Sequence, residues 1–161
     1  MEEIRTGAAE HSVCADEQTK TADPDTLSGH ALAYLGDAVL ELLVRTYLVG
    51  TGISHAGELN ARARTYVTAA KQSAGTEALL PLLDEQEEAV YRRGRNAAGS
   101  HPRSASVAEY RRATGMEALF GWLYLHGRMQ RLNDLFSVYR RAAETGEGSP
   151  ESSAENGGKT L

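Results

Sequence analysis

LAYLGDAVLELLV, residues 32–44, is apolar at nearly every position and reads as a buried helix, yet Asp37 stands in its middle. In ALAYLGDAVL, 31–40, that aspartate is the only charge, and in ATGMEALFGWLYLHG, 113–127, the only charge is Glu117. A lone carboxylate in a core costs several kcal/mol unless something compensates it. A fold that keeps two such acids pairs them with cations or sets a metal ion between them. On an ideal helix the neighbours of Asp37 one turn away are Ala33, Tyr34, Leu40 and Glu41, and those of Glu117 are Ala113, Thr114, Phe120 and Gly121. The small residues among them leave room for a hydrated ion, and magnesium suits such a place because it keeps several waters and takes only one or two carboxylates. A plain ion pair with a core arginine such as Arg45 or Arg62 satisfies the same spacing, and spacing alone does not separate the two.

The chain of 161 residues is long enough for one domain with its own core. Its single cysteine, Cys14, lies in a polar N-terminal segment, which excludes a disulfide framework or a Cys-rich zinc site and fits a reducing, cytoplasmic setting. No apolar run approaches the roughly 20 residues of a membrane span, and MEEIRTGAAEH has neither the basic nor the apolar part of a signal peptide. The expectation is a soluble cytoplasmic protein with no membrane partner. The net charge of -5 is uneven: residues 1–26 hold seven acids and two bases, 146–161 three acids and one base, and 27–145 hold 14 Arg or Lys against 12 Asp or Glu. Within that nearly neutral body, 92–112 carries Arg92, Arg93, Arg95, Arg103, Arg111 and Arg112 against Glu109 alone, a pattern suited to contacting phosphates.

Residues 1–25 and 146–161 are polar and nearly devoid of large apolar side chains, so both read as disordered tails around a domain at 26–145. Between them the pattern is all-α. A first helix at about 27–49, capped near Asp25 or Ser28, is apolar on most faces and so belongs at the centre of a bundle. Ser54 caps a second, with Leu59, Ala63, Tyr66, Val67 and Ala70 at helical spacing; a third covers about 72–83, its end blurred by Pro81. Asp84 with Glu87 and Ser106 with Glu109 are capping-box pairs that start a fourth and a fifth, the latter ending near Gly127. A last helix, about 128–144, puts Leu132, Leu135, Phe136, Tyr139 and Ala143 on one side. One long connection, RNAAGSHPRSASV at 95–107, has the length of a functional loop.

LAYLGDAVLELLV closely resembles the signature helix of ribonuclease III, LEFLGDAVLEL, and MEALFGWLYL, 116–125, resembles that family's second acidic segment, VEALIG. The resemblance covers essentially all of 27–145. Sixteen polar residues after 145 are too few for the double-stranded-RNA-binding domain that usually follows, and with YVTAAKQSA, RRGRNA and YRRATGMEAL the chain looks like the compact mini-ribonuclease III branch. The resemblance implies an all-helical ribonuclease III-like homodimer. Its implied activity is magnesium-dependent cleavage of double-stranded RNA to 5′-phosphate and 3′-hydroxyl ends. The implied substrate is the large-subunit (23S) ribosomal RNA precursor.

Carried over position by position, the resemblance makes Asp37 and Glu117 the catalytic residues and the metal ligands. Two further acidic positions of the longer enzymes fall on His30 and Ala33, and a third on Thr114, so fewer direct ligands remain. Glu41 and Thr114 are assigned supporting places beside the ligands. A phosphodiester is hydrolysed on carboxylate-held metal without a nucleophilic side chain, and no Ser-His-Asp or Cys-His set is convincing. A-form RNA hides its base edges, so a protein grips it by shape, 2′-hydroxyls and phosphates; Arg92, Arg93, Arg95, Asn96 and Arg103 are the candidates. Arg111 and Arg112 fit RNA contact or plain solvation equally, and His55 and His101 read as solvent-facing. The competing function is a catalytically inactive ribonuclease III-like module that binds RNA or assists ribosome assembly, against which the two retained acids argue.

Overall fold

The structure, a computed structural model, describes residues 22–99 and 106–145. Among them are six helices, α1 (Gly29–Gly50), α2 (Ala56–Tyr66), α3 (Ala69–Leu79), α4 (Glu85–Ala97), α5 (Val107–Leu125) and α6 (Met129–Thr145), two single 3-10 turns at Pro24–Thr26 and Leu80–Leu82, and no strand. The all-α class expected from the sequence is what the chain adopts.

Local chemistry starts the helices where four-residue signals said it would. The Ser28 hydroxyl caps α1, and both capping boxes, Asp84 with Glu87 and Ser106 with Glu109, are closed in each direction. Gly52 and Gly127, at φ of 87° and 65°, take the left-handed conformation that turns the chain after α1 and α5. Ser54 does not cap α2; His55 holds the cap position without a side-chain hydrogen bond.

Two expectations are corrected by tertiary contacts. The apolar spacing carries the second helix through Val67 to Ala70 and starts the third at about 72, whereas α2 stops at Tyr66 and α3 begins at Ala69. The Tyr66 carbonyl, which would serve the next turn, instead accepts the Tyr139 hydroxyl at 2.6 Å, and Thr68, extended, holds the cap position of α3 without a side-chain hydrogen bond. Pro81 ends α3 early, at Leu79, and sits in the 3-10 turn that follows. The helix at the centre is also α5 rather than α1. Every residue of α5 from Ala113 to Leu123 is buried except half-buried Glu117, while α1 buries one stripe through Leu32, Gly36, Val39, Leu40, Val44 and Leu48 and leaves its other face to solvent.

Packing on α5 organises the rest. The α1–α5 pair has the most extensive contact, α4 packs on α5 from another side, and α6 closes the core through Leu132, Leu135, Phe136, Tyr139 and Ala143. Fully buried Glu87 binds Arg131 through both carboxylate oxygens at 2.8 Å, tying the start of α4 to α6. Residues 22–25, assigned from sequence to a tail, are part of this body: Asp25 accepts the Trp122 indole N–H at 2.7 Å and meets His126 at 3.1 Å. The remaining tail residues, 1–21 and 146–161, lie outside the described residues, as do residues 100–105 of the long connection.

Candidate functional site

Asp37 and Glu117 stand where two helices touch backbone to backbone. A Cβ on Gly36 would overlap the Glu117 carbonyl, and one on Gly121 would overlap the Leu32 carbonyl. Without side chains at either place α1 and α5 cross in direct contact, and the residue after Gly36 is delivered beside Glu117. Both carboxylates line an open depression of about 360 Å³, together with His30, Ala33, Tyr34, Tyr110 and Thr114.

The expectation that both acids lie in the core holds for neither in full. Asp37 is exposed at the rim, because position 37 falls on the edge of the stripe that α1 buries, and Glu117 is half-buried below it. Burial raises the Glu117 carboxyl to a pKa of about 8; the negative charge of Asp37 adds to the rise, and a hydrogen bond from Gln72 opposes it. Asp37 is raised as well, by burial first and by Glu41 second.

The ion-pair alternative fails on the partners. Arg45 binds Glu41 at 2.9 Å and Arg62 binds Glu58 at 2.9 Å, so both arginines are engaged along their own helices. Among the described residues no Lys or Arg pairs with Asp37 or Glu117. Two carboxylates that repel each other, one of them sheltered, share an open depression without a protein cation to neutralise them. Among the described residues no group of three or more His, Cys, Asp or Glu side chains is placed to hold a metal ion.

The other residues singled out from sequence divide. Thr114 is buried in the depression wall and its hydroxyl is committed to the Tyr110 carbonyl at 2.9 Å. Glu41 is exposed on α1 and does not line the depression. Arg92, Arg95, Arg111 and Arg112 line one cleft of about 560 Å³ between α4 and α5, alongside Tyr91 and Glu88. Within it Arg92 is paired with Glu88 at 2.6 Å, and Arg112 with Glu77 at 2.6 Å. Arg95 and Arg111 are exposed and form no ion pair among the described residues, and Asn96 is exposed beside them. Arg93 faces elsewhere: it is half-buried and donates to the Asp25 carbonyl at 2.6 Å, which ties it to the fold. Arg103 and His101 lie outside the described residues.

Sequence reasoning missed Gln72. It is buried on α3, and its side-chain Nε2 donates to Glu117 Oε1 at 3.4 Å. A lone glutamine in YVTAAKQSA carries no chemical signal until α3 is known to lie against α5.

Comparisons with known proteins show the family. The Ribonuclease III domain matches residues 30–128. The mini-ribonuclease 3 of Symbiobacterium thermophilum is 44% identical over 129 residues, covering 80% of this chain and 99% of that protein. The mini-ribonuclease 3 of Enterococcus faecalis is 40% identical over 129 residues, covering 78% and 98%. That of Desulfitobacterium hafniense is 52% identical over 101 residues, covering 63% of this chain and 64% of the relative, slightly under two thirds of its length. A crystal structure of a Fusobacterium nucleatum protein superposes with a TM-score of 0.67 at 31% identity, covering 75% of this chain and 98% of that one. A helical bundle whose two crossing helices present these carboxylates, matched by the family over most of the described residues, belongs to the ribonuclease III family. Within that family the chain groups with the mini-ribonucleases 3 and is an endoribonuclease.

Proposed function

We propose that the substrate is double-stranded RNA, that cleavage requires magnesium, and that Asp37 and Glu117 are the residues that hold the metal. The observation that carries this reading is the shared open depression, lined by two carboxylates from separate helices that have no cation partner among the described residues. Two carboxylates are what magnesium takes from a protein when waters and substrate phosphates complete its shell, so the donor set fits it. Magnesium bound there would activate a water for attack on the phosphodiester and stabilise charge on the attacking and leaving oxygens.

The chain's own residues supply position and access. Exposed Asp37 reaches a backbone laid across the rim, while half-buried Glu117 must release its proton to bind a cation. Arg95 and Arg111 offer charge to phosphates farther along the duplex, and they lie toward the same end of α5 as the depression. Arg111 precedes Glu117 by six residues, about 9 Å of helix. The large-subunit (23S) ribosomal RNA precursor is the proposed natural substrate, as the chain's resemblance in sequence to the mini-ribonuclease III branch implies. Thr114 and Glu41 are assigned supporting places, Thr114 through the shape of the wall and Glu41 through its charge on Asp37.

The proposed assembly is a homodimer. Tyr34, Leu42 and Val49 are 87%, 56% and 60% exposed along one face of α1, and Tyr34 also borders the depression. A second copy seated on that face by two-fold symmetry would set two depressions side by side, one for each strand of a duplex. The test of the activity is incubation of the purified protein with long double-stranded RNA, with magnesium or with chelator. Cleavage confined to the magnesium arm is expected, whereas RNA binding without cleavage in either arm would favour an inactive RNA-binding module.

A further inference from the structure

The geometry points to Gln72 as a positioning residue for Glu117, an assignment that rests on the proposed role of that glutamate. Glu117 needs its carboxylate aimed at the depression, and among the described residues the hydrogen bond from Gln72 Nε2, at 3.4 Å, is the one its side chain makes. Gln72 is 8% exposed, so water competes little for its amide. Its main chain is satisfied separately: its N–H donates to the Thr68 carbonyl at 2.8 Å and its carbonyl accepts the Thr76 hydroxyl at 2.6 Å. Among the described residues the side-chain amide makes no hydrogen bond other than the one to Glu117.

The separation between the two residues is fixed by a second link between the same helices. Arg112 of α5 reaches across to α3, donating to the Ser73 hydroxyl at 2.8 Å and pairing with Glu77 at 2.6 Å. Ser73 is the next residue after Gln72, so this brace holds the amide at its working distance. That assignment takes Arg112 out of the set that is free for RNA. An amide also suits the task in a way a cation does not. Lysine or arginine at 72 would neutralise Glu117 and occupy the place of a metal ion, whereas an N–H from glutamine orients one carboxylate oxygen and leaves the charge and the other oxygen available.

The test uses Gln72→Met, which keeps length and burial but cannot donate, and Gln72→Asn, which keeps the amide but draws it out of reach. In each, kcat on double-stranded RNA should fall about 10- to 100-fold and half-saturating magnesium should rise, with KM for RNA within about twofold of wild type. Magnesium-induced protection against thermal unfolding, measured without RNA, should weaken in parallel. In the Glu117→Gln background Gln72→Met should add no further loss of that protection, since the partner is already altered. If Gln72→Met does not fold, Gln72→Asn decides. Wild-type kcat and wild-type magnesium dependence in the folded variant would overturn the role of Gln72. Should Glu117→Gln itself cut at the wild-type rate, the fault lies instead with the assignment of Glu117.

Discussion

Glu117 keeps its proton to about pH 8 in the folded, metal-free protein, chiefly through burial, whereas an unfolded glutamate releases it near its ordinary value of 4.5. Between those values the unfolded chain binds fewer protons than the folded one, so metal-free stability should fall as pH rises from about 4.5 to about 8. At roughly 1.4 kcal/mol per pKa unit, the loss across that interval is on the order of 5 kcal/mol. Glu117→Gln removes the titration, so in chelator it should match wild type near pH 5 and exceed it at pH 8; denaturant melts at both values measure this. An equal pH response in the two proteins would place the Glu117 carboxyl in contact with solvent. The two acids were legible in the sequence because each is the single charge of an apolar stretch. Their exposure was not, since it depends on which edge of α1 meets α5. Gln72 was illegible for a similar reason: its partner lies 45 residues away, on another helix.

Crossing geometry is the property that matters for the helices as elements. Gly36→Ala puts a methyl group on the Glu117 backbone carbonyl, which cannot yield as a flexible side chain would. The helices must part, at a cost of about 3 kcal/mol in stability. The carboxylates separate with them, and misplacement by about 1 Å is enough to lower turnover about 100-fold. Chemical denaturation and steady-state cleavage would register both effects, and a stable, fully active Gly36→Ala protein would mean that α1 and α5 lie farther apart. Sequence reading succeeded at the helix starts whose signal is complete within four residues, such as Asp84 with Glu87 and Ser106 with Glu109. It placed the α2–α3 break a few residues late, because the Tyr66 carbonyl at the true break is claimed by Tyr139 from 73 residues away. It also exchanged the central helix, because α1 and α5 are similarly apolar and only packing shows which of them is surrounded.

Across the whole molecule, charge and symmetry bear on how a duplex is held. Arg95→Ala with Arg111→Ala should weaken RNA binding and reduce the slope of log affinity against log salt by about two, one for each phosphate contact. The carboxylates would be untouched, so saturating RNA should restore most of the cleavage rate; an unchanged slope would move the RNA path elsewhere, toward Arg62, Arg64 and Lys71. Sedimentation at micromolar concentration should show a dimer that Tyr34→Glu dissociates, and a monomeric wild type that still cuts both strands would exclude the two-fold arrangement. The central claim is that Asp37 and Glu117 form one metal-dependent catalytic site, and single-turnover cleavage of double-stranded RNA by Asp37→Asn and Glu117→Gln tests it most directly. Both variants should fold, bind RNA with near wild-type affinity and lose nearly all cleavage in saturating magnesium. Cleavage by either variant at close to the wild-type rate would contradict the claim.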